Sequence, residues 1–125
     1  MFDEQMKKCM QLCRACGDIC QETFYNYCLE AGGAHVAPAH ARLMADCVDI
    51  CRTSANAMAR GSALHTEICA TCAIICEACA DSCAAMEDDK DMKACAEACR
   101  ACAASCRDMS GGAKDTNPER ARHAG

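Results

Sequence analysis

The apolar positions of this chain recur with a helical period, and small residues occupy most of them. Three segments carry the motif C-x3-C-x2-C-x3-C, in which cysteines follow one another at offsets of four, three and four residues. Such offsets keep side chains on one face of an α-helix. The three repeats are Cys9, Cys13, Cys16 and Cys20; Cys72, Cys76, Cys79 and Cys83; and Cys95, Cys99, Cys102 and Cys106. Each repeat predicts a helix that buries a stripe of thiols.

Helix-breaking and capping residues predict where the first two helices begin and end. Asp3 is a candidate N-cap for the first helix, which stops before the pair Gly32-Gly33. Pro38 precedes the second helix, and Gly61 is suited to the position just after its end.

Two further helices follow from the same kind of signal. Ser62 is a candidate cap for the third helix, which we expect to run to about Met86 or Glu87. An acidic turn then leads to the fourth helix, with Asp91 as its candidate cap and an end before Gly111.

Long helices with short connections favour an antiparallel four-helix bundle, here with a cysteine-lined core. No segment alternates as a strand would, so we expect an all-α domain over residues 1–110. Residues 111–125 are rich in glycine and charge and are predicted to form a disordered tail.

The stripes continue beyond the cysteines into methionine and histidine. In an up-down-up-down bundle, the connection between helices one and two lies at the same end as that between helices three and four. We therefore expect one end to hold His40, Met44, Met86 and Met92, with His35 nearby, and the other end to hold Met6, Met58, His65 and Met109. Thiols would fill the middle.

Composition makes an ordinary hydrophobic core improbable. Leu, Ile, Val and Phe together number only 13 residues, whereas cysteine alone contributes 16. Free cysteine packs as a small hydrophobe and alanine favours helices, so these two residues must supply most of the core. Such a core buries little apolar area, and bound metal or oligomerisation would help to stabilise it.

Charge and hydropathy exclude several classes of function. The net charge is −5 and the aromatic rings are few, so nucleic-acid binding has no basis here. No apolar run is long enough to suggest a membrane span. The first residues resemble no signal peptide, which predicts a cytoplasmic protein, although an export signal removed earlier would leave no trace. In a reducing compartment, many cysteines indicate metal or redox chemistry rather than disulfides.

Soft sulfur ligands select Cu(I), zinc or iron–sulfur clusters. The thiols are unevenly divided among the helices, so they are not expected to stack into layers of four with one thiol from each helix, as closed zinc sites would favour. Neighbours at i and i+4 have Cβ atoms about 5–6 Å apart, close enough for two sulfurs to share one Cu(I) ion. Seven such pairs leave only Cys28 and Cys69 to join helices.

Charge balance also favours copper. One monovalent ion per thiolate leaves a buried core neutral, whereas tetrathiolate zinc leaves excess negative charge, which is costly to bury. This predicts on the order of one Cu(I) per cysteine. No spacing matches a ferredoxin-type cluster or a di-iron bundle.

The candidate metal ligands are therefore the sixteen cysteines with a few thioethers and imidazoles, and no catalytic residue is predicted. They are Cys9, Cys13, Cys16, Cys20, Cys28, Cys47, Cys51, Cys69, Cys72, Cys76, Cys79, Cys83, Cys95, Cys99, Cys102, Cys106, His40, Met44, Met86, Met92 and His65. Methionine is individually more typical of packing than of ligation. Two alternatives stay open, namely a zinc- or cadmium-binding protein of the metallothionein type and a thiol redox protein.

The chain resembles the bacterial copper storage proteins of the cytosolic type. The resemblance rests on the run from Cys9 to Cys20, on Cys28-Leu29-Glu30, and on the segments 45–51, 67–72 and 76–79. It implies storage of many Cu(I) ions inside each bundle, for buffering, detoxification or supply, and a homotetramer. A copper chaperone or a small-molecule copper carrier is then an expected partner.

One segment departs from that resemblance. Some cytosolic relatives carry histidines between helices three and four, where this chain has Met86-Glu87-Asp88-Asp89-Lys90-Asp91-Met92. Copper uptake at that end is therefore expected to depend on Met44, Met86, Met92 and His40.

Overall fold

The computed structural model describes residues 2–111 and contains four long helices in that part of the chain. They are α1 (Glu4–Thr23), α2 (Pro38–Ala59), α3 (His65–Ala84) and α4 (Lys90–Met109). Each helix packs against the two that neighbour it in an antiparallel four-helix bundle, with α1 closing against α4. No strand occurs among the described residues. The predicted all-α fold is confirmed; the predicted tail, Gly111 apart, lies outside the described residues.

The predicted signals at the ends of α1 and α2 act as expected. The Asp3 carboxylate accepts a hydrogen bond of 2.8 Å from the backbone N–H of Met6, as an N-cap does. Pro38 is the first residue of α2, where its missing N–H costs nothing. Gly61 follows α2 with a φ of 66°, a left-handed conformation that glycine adopts without strain.

The end of α1 contains a feature that the sequence pattern did not predict. The helix continues through a π-helical turn, Phe24–Cys28, and a last turn, Leu29–Ala31. Cys28 follows Cys20 by eight residues, which in a regular α-helix would place it about 80° away from the thiol stripe. A π turn inserts one extra residue and brings the side chain back by about 100°. This accounts for the complete burial of Cys28.

The predicted starts of α3 and α4 are wrong in detail. The first helical residue of α3 is His65, and Ser62 instead accepts a hydrogen bond from the backbone N–H of Leu64 in the preceding turn. The cap of α4 is Asp89 rather than Asp91, because the Asp89 carboxylate accepts from the N–H groups of both Asp91 and Met92, each at 3.1 Å.

The connection between α3 and α4 is tighter than the predicted helix boundaries allow. The last residue of α3 is Ala84, two to three residues earlier than expected. Asp88 then takes a left-handed φ of 60°, which reverses the chain within a few residues and is tolerated by Asp. The turn places the carboxylate of Asp89 at the end of the bundle where α1 connects to α2.

The core of the bundle is built from thiols, alanine and a few larger side chains. Met44, Met58 and Met92 are the largest of the fully buried residues. The outer faces carry ion pairs such as Arg52–Asp18 at 3.5 Å, whose exposure limits their contribution to stability. None of the helices between residues 2 and 111 has the length and apolar character that a membrane span requires.

Candidate metal centre

The sixteen cysteines line the interior of the bundle as free thiols. Each is 0% exposed, and none is paired in a disulfide. Offsets of three and four residues turn the thiols of the three repeats and of the Cys47–Cys51 pair toward the same axis, as the sequence predicts. The interior is therefore dominated by sulfur rather than by hydrocarbon.

Most of these sulfurs form one continuous network across the helices. The closest Sγ–Sγ hydrogen-bonding contacts join Cys13 to Cys106 and Cys51 to Cys76, each at 3.5 Å. Contacts of up to 4.0 Å extend this network to Cys9, Cys13, Cys16, Cys20, Cys47, Cys51, Cys72, Cys76, Cys99, Cys102 and Cys106. A soft ion placed in this network would find sulfur ligands on every side.

Four groups of thiols, three drawn wholly from the network and one that adds Cys69, have all their sulfurs within 4.8 Å of one another. The groups are Cys13, Cys72, Cys102 and Cys106; Cys16, Cys20, Cys47 and Cys99; Cys16, Cys51, Cys76 and Cys102; and Cys9, Cys69 and Cys106. Three residues, Cys16, Cys102 and Cys106, each belong to two groups. The groups are thus linked and cannot all act as separate sites.

One of these groups corrects an expectation drawn from the uneven distribution of cysteines. Cys16, Cys51, Cys76 and Cys102 come from α1, α2, α3 and α4 respectively. The bundle therefore does contain a layer with one thiol from each helix. We refer to these four residues as the central layer. Uneven totals per helix do not prevent such a layer, because the surplus thiols lie above and below it.

The predicted pairs at i and i+4 are part of a wider pattern. Hydrogen-bonding contacts join Cys47 to Cys51 at 4.0 Å and Cys72 to Cys76 at 3.7 Å. The two shortest thiol contacts, however, join different helices. Helix packing therefore contributes as much to the grouping of the sulfurs as the spacing along one helix does.

Thioethers replace thiols as partners at the end of the bundle where α1 joins α2 and α3 joins α4. We call this the His40 end, and the opposite end the His65 end. The sulfur of Met44 accepts hydrogen bonds from Cys79 at 3.5 Å and from Cys83 at 3.6 Å. The sulfur of Met92 accepts one from Cys28 at 3.7 Å. Met44 and Met92 thus lie beside thiols, as predicted for this end.

His40 is buried at the same end, with 4% of its surface exposed. Its Nδ1 lies 2.8 Å from the hydroxyl oxygen of Ser82, and its Nε2 has no hydrogen-bond partner. Burial lowers the pKa of His40, so the imidazole favours its neutral form. A neutral imidazole with a free ring nitrogen is a metal-ligating group.

A polar cluster of Tyr27, His35 and Asp89 lies over the His40 end. The Tyr27 hydroxyl donates to the Asp89 carboxylate at 2.7 Å, and His35 Nε2 lies 2.7 Å from the same oxygen. Burial tends to raise the pKa of Asp89, but hydrogen bonds from His35 and Tyr27 outweigh it and lower this pKa to about 2. The cluster ties the α1–α2 connection to the cap of α4. The Nε2 atom of His35 is thus already engaged by the Asp89 carboxylate.

Two of the predicted ligands lie at the margins of the interior. His65, half-buried at the start of α3, has its Nδ1 2.9 Å from the backbone carbonyl oxygen of Ser62 and belongs to none of the four thiol groups. Met86 is half-buried beyond the end of α3 and, with Cys83, borders a surface cavity of about 560 Å³.

The Cys28 thiol favours its protonated form when no metal is bound. Burial, followed by the nearby Cys83 and Asp89, raises the pKa of the Cys28 thiol to about 11. A thiol must lose its proton to bind a metal ion, so an ion that enters such a site displaces protons. The charge of the bound ion then balances the charge of the thiolate.

The match to a known family agrees with this interior. The family model described as copper storage protein matches residues 2–111, which is nearly the whole chain. The chain belongs to the copper storage protein family. The resemblance noted from its cysteine-containing segments is thereby confirmed.

Solved structures of similar proteins share the bundle. The Nmul_A1745 protein from Nitrosospira multiformis is 42% identical, with a TM-score of 0.83 over 88% of this chain and 98% of that one. The Cu(I)-bound copper storage protein BsCsp3 is 38% identical, with a TM-score of 0.78 over 86% of this chain and 99% of that one. The metal-free Csp3 from Bacillus subtilis is 39% identical, with a TM-score of 0.74 over 83% of this chain and 97% of that one.

Sequence reasoning overlooked the polar residues that hold the His40 end together. Ser82, the partner of His40, has no signal of its own except that it directly precedes Cys83 in a thiol stripe. Asp89 was passed over in favour of Asp91 because several carboxylates in the turn are equally suited to capping. The distant partners of both residues, His40 for Ser82 and Tyr27 with His35 for Asp89, lie on other parts of the chain.

Proposed function

We propose that this copper storage family member binds many Cu(I) ions through its sixteen cysteines and holds them as cargo inside the bundle. The observation that carries the proposal is the sharing of sulfurs between neighbouring thiol groups. A store of many ions needs ligands that bridge adjacent ions, and Cys16, Cys102 and Cys106 are placed between two groups each.

Coordination number favours Cu(I) over zinc in this network. Zinc in structural sites takes four ligands in closed tetrahedral sets. The central layer shares Cys16 with one of the other four-thiol groups and Cys102 with the other, so at most two closed sets of four could be filled at once. Such loading would leave half of the cysteines unused. Soft thiolates with fewer ligands per ion suit Cu(I), and they would use the whole network.

Electrostatics supports the same choice of ion. All sixteen sulfurs are buried, so a loaded interior must be close to neutral. Monovalent copper satisfies this condition at about one ion per thiolate. The capacity expected from charge balance is therefore well above that of a protein with one or two metal sites.

The ends of the bundle have distinct roles in this proposal. His40, Met44, Met86 and Met92 receive and release copper at the His40 end, because neutral thioether and imidazole ligands exchange ions without losing protons. His65 offers a single imidazole ligand at the other end. The physiological roles are copper buffering, detoxification or supply in the cytoplasm, without an enzymatic activity of its own. Exchange with a copper chaperone or a small-molecule carrier, and assembly as a homotetramer, complete the proposal.

An anaerobic Cu(I) titration of the fully reduced protein against a chromophoric chelator tests the storage function. We expect the chain to withhold well over ten ions per bundle before the chelator is coloured, in keeping with the neutrality argument. A break at four ions or fewer would contradict storage. A matched Zn²⁺ titration gives the comparison, for which closed sets predict only a few ions.

The redox alternative requires its own measurement. Thiol oxidation without metal would have to change a property of the protein reversibly, and the oxidised chain would lose its copper capacity. Free thiols are counted in metal-free protein before mild oxidation, after it, and after reduction. A redox protein loses thiols in pairs to the oxidant and regains them on reduction with a matching change in its properties, whereas a store needs no such cycle to take up and release Cu(I).

A further inference from the structure

We propose that Ser82 is a positioning residue for copper exchange, because its hydroxyl holds the imidazole of His40 with Nε2 free to bind Cu(I) at the His40 end. The inference rests on the proposed function and extends it to a residue outside the ligand set. It starts from the buried His40 ring, which has one nitrogen in a hydrogen bond and the other without a partner.

The contact between the two side chains fixes the ring in place. Ser82 Oγ lies 2.8 Å from Nδ1 of His40, across the interface between α3 and α2. The ring also stands near Phe24, with centroids 6.5 Å apart. With one nitrogen tied to α3 and the ring of Phe24 in the π turn nearby, the imidazole has little freedom to turn.

The direction of this hydrogen bond decides whether Nε2 can bind a metal. A neutral imidazole has one N–H donor and one acceptor nitrogen. If the Ser82 hydroxyl donated to Nδ1, Nε2 would carry a proton that is buried without an acceptor and could not ligate. If Nδ1 donates to Ser82, Nε2 keeps a lone pair that a cation can use. The serine hydroxyl can serve as acceptor while its own proton goes to a carbonyl of its helix.

The surroundings of His40 favour the second arrangement. Cys83 directly follows Ser82, the hydrogen-bond partner of His40, and Met44 lies one turn further along α2. Met44 in turn contacts Cys79 and Cys83. A Cu(I) ion near Cys83 would thus have a thiolate, a thioether and the lone pair of His40 in the same region. An ion bound there would also satisfy the buried nitrogen that now has no partner.

His65 shows the same orientation with an unambiguous partner. Its Nδ1 faces the backbone carbonyl of Ser62, which can only accept, so Nδ1 carries the proton and Nε2 has the lone pair. His35 differs, since its Nε2 is engaged by Asp89. Two histidines at opposite ends of the interior therefore share the Nδ1–H form that ligation through Nε2 requires.

Nitrogen NMR of the histidine rings tests the inference directly. In ¹⁵N-histidine-labelled protein, with each ring assigned by substitution, metal-free His40 should show the Nδ1–H tautomer. Its Nε2 resonance should shift on Cu(I) loading. Ser82→Ala should shift the tautomer balance and slow copper uptake from a chelator roughly tenfold, the lower end of the loss in metal affinity or activity that follows removal of a ligand's hydrogen-bond partner. Total capacity should stay unchanged.

Two further variants serve as controls. Ser82→Thr keeps the hydroxyl and should restore both the tautomer and the uptake rate. Ser110→Ala, at the other end of the bundle, removes a hydroxyl that donates to the carbonyl of Arg107 and should change neither.

The inference fails if metal-free His40 carries its proton on Nε2, if that resonance stays in place when the bundle is loaded, or if Ser82→Ala takes up copper at the wild-type rate. Failure of the proposed function has a different signature. In that case, wild-type protein would bind few Cu(I) ions whatever residue stands at position 82.

Discussion

Thiols line both the middle of the bundle and its His40 end, but the side chains that they contact differ. In the middle, thiols contact thiols on other helices at 3.5–4.0 Å. At the His40 end, the thiols of Cys28, Cys79 and Cys83 contact thioethers instead, and a buried imidazole lies close by. The middle is suited to holding many ions, and the end is suited to passing them.

The difference follows from the charge of the ligands. Thiolates are anionic when they bind, so they hold Cu(I) strongly and neutralise it. Methionine and histidine bind without releasing a proton and leave the charge of the ion uncompensated. An ion is therefore expected to stay longer in the middle than at the end. The predictions below test this contrast, beginning with the largest effect.

Copper loading is expected to stabilise the bundle more than any substitution can. A ligand that binds only the folded state contributes about 4 kcal/mol at a thousandfold excess over its Kd for each site. Several occupied sites should therefore raise Tm by well over about 10 °C. Calorimetry of metal-free and loaded protein measures the shift. Equal melting temperatures would place the ions outside the folded interior.

Removal of the central layer should reduce capacity. Changing Cys16, Cys51, Cys76 and Cys102 together to serine is expected to lower the number of Cu(I) ions bound by about four, because each lost thiolate removes one compensating charge. The chelator titration measures this number. All sixteen cysteines are buried, so the chain offers no set of four exposed cysteines to change to serine as a control. The control is instead the double methionine variant described next. An unchanged capacity would contradict the linked network.

Replacement of the thioethers should affect rate rather than amount. Met44→Leu combined with Met92→Leu keeps side-chain volume, which limits the loss of folding stability to about 1.5 kcal/mol per site. We expect capacity within about two ions of the wild type and slower transfer to the chelator. Stopped-flow absorbance follows the transfer. If this variant lost as many ions as the central-layer variant, the distinction between middle and end would not hold.

The metal-free bundle should lose stability at alkaline pH. The pKa of Cys28 is raised from 9.0 to about 11 by burial first and then by Cys83 and Asp89, so folding favours the protonated thiol. This contribution is complete below pH 9 and disappears as pH rises toward 11. Thermal melts across that range should show a falling Tm, with a shallower slope for Cys28→Ser. Loaded protein should lack the effect, because its thiolates are already deprotonated.

A single glycine offers the smallest test. Gly17 lies in α1 against α2, where an added Cβ would meet the Cβ of Cys51 at 3.5 Å, an ordinary contact distance. Alanine favours the helix by about 0.8–1 kcal/mol relative to glycine. Gly17→Ala should therefore stabilise the metal-free bundle by up to about 1 kcal/mol without altering capacity. Urea denaturation and the copper titration measure the two properties, and a loss of stability would indicate that α1 and α2 cannot accommodate the methyl group.

The sequence by itself determined the helices and the direction in which their thiols point. Offsets of three and four residues align side chains through local geometry alone, and caps such as Asp3 and Pro38 act within one turn. For this reason the four-helix bundle, the buried thiols of the three repeats and the presence of Met44 and Met92 at the His40 end were all predictable.

Only the tertiary structure decided which side chains meet. The central layer, the pairing of Ser82 with His40 and the hydrogen bonds of Asp89 join residues from different helices or turns. Spacing along one helix does not determine the rotation and axial offset of that helix relative to its neighbours, and shifts of a few ångströms change every contact between them. The π turn that returns Cys28 to the core is of the same kind, because local propensity does not favour it and burial against the other helices holds it in place.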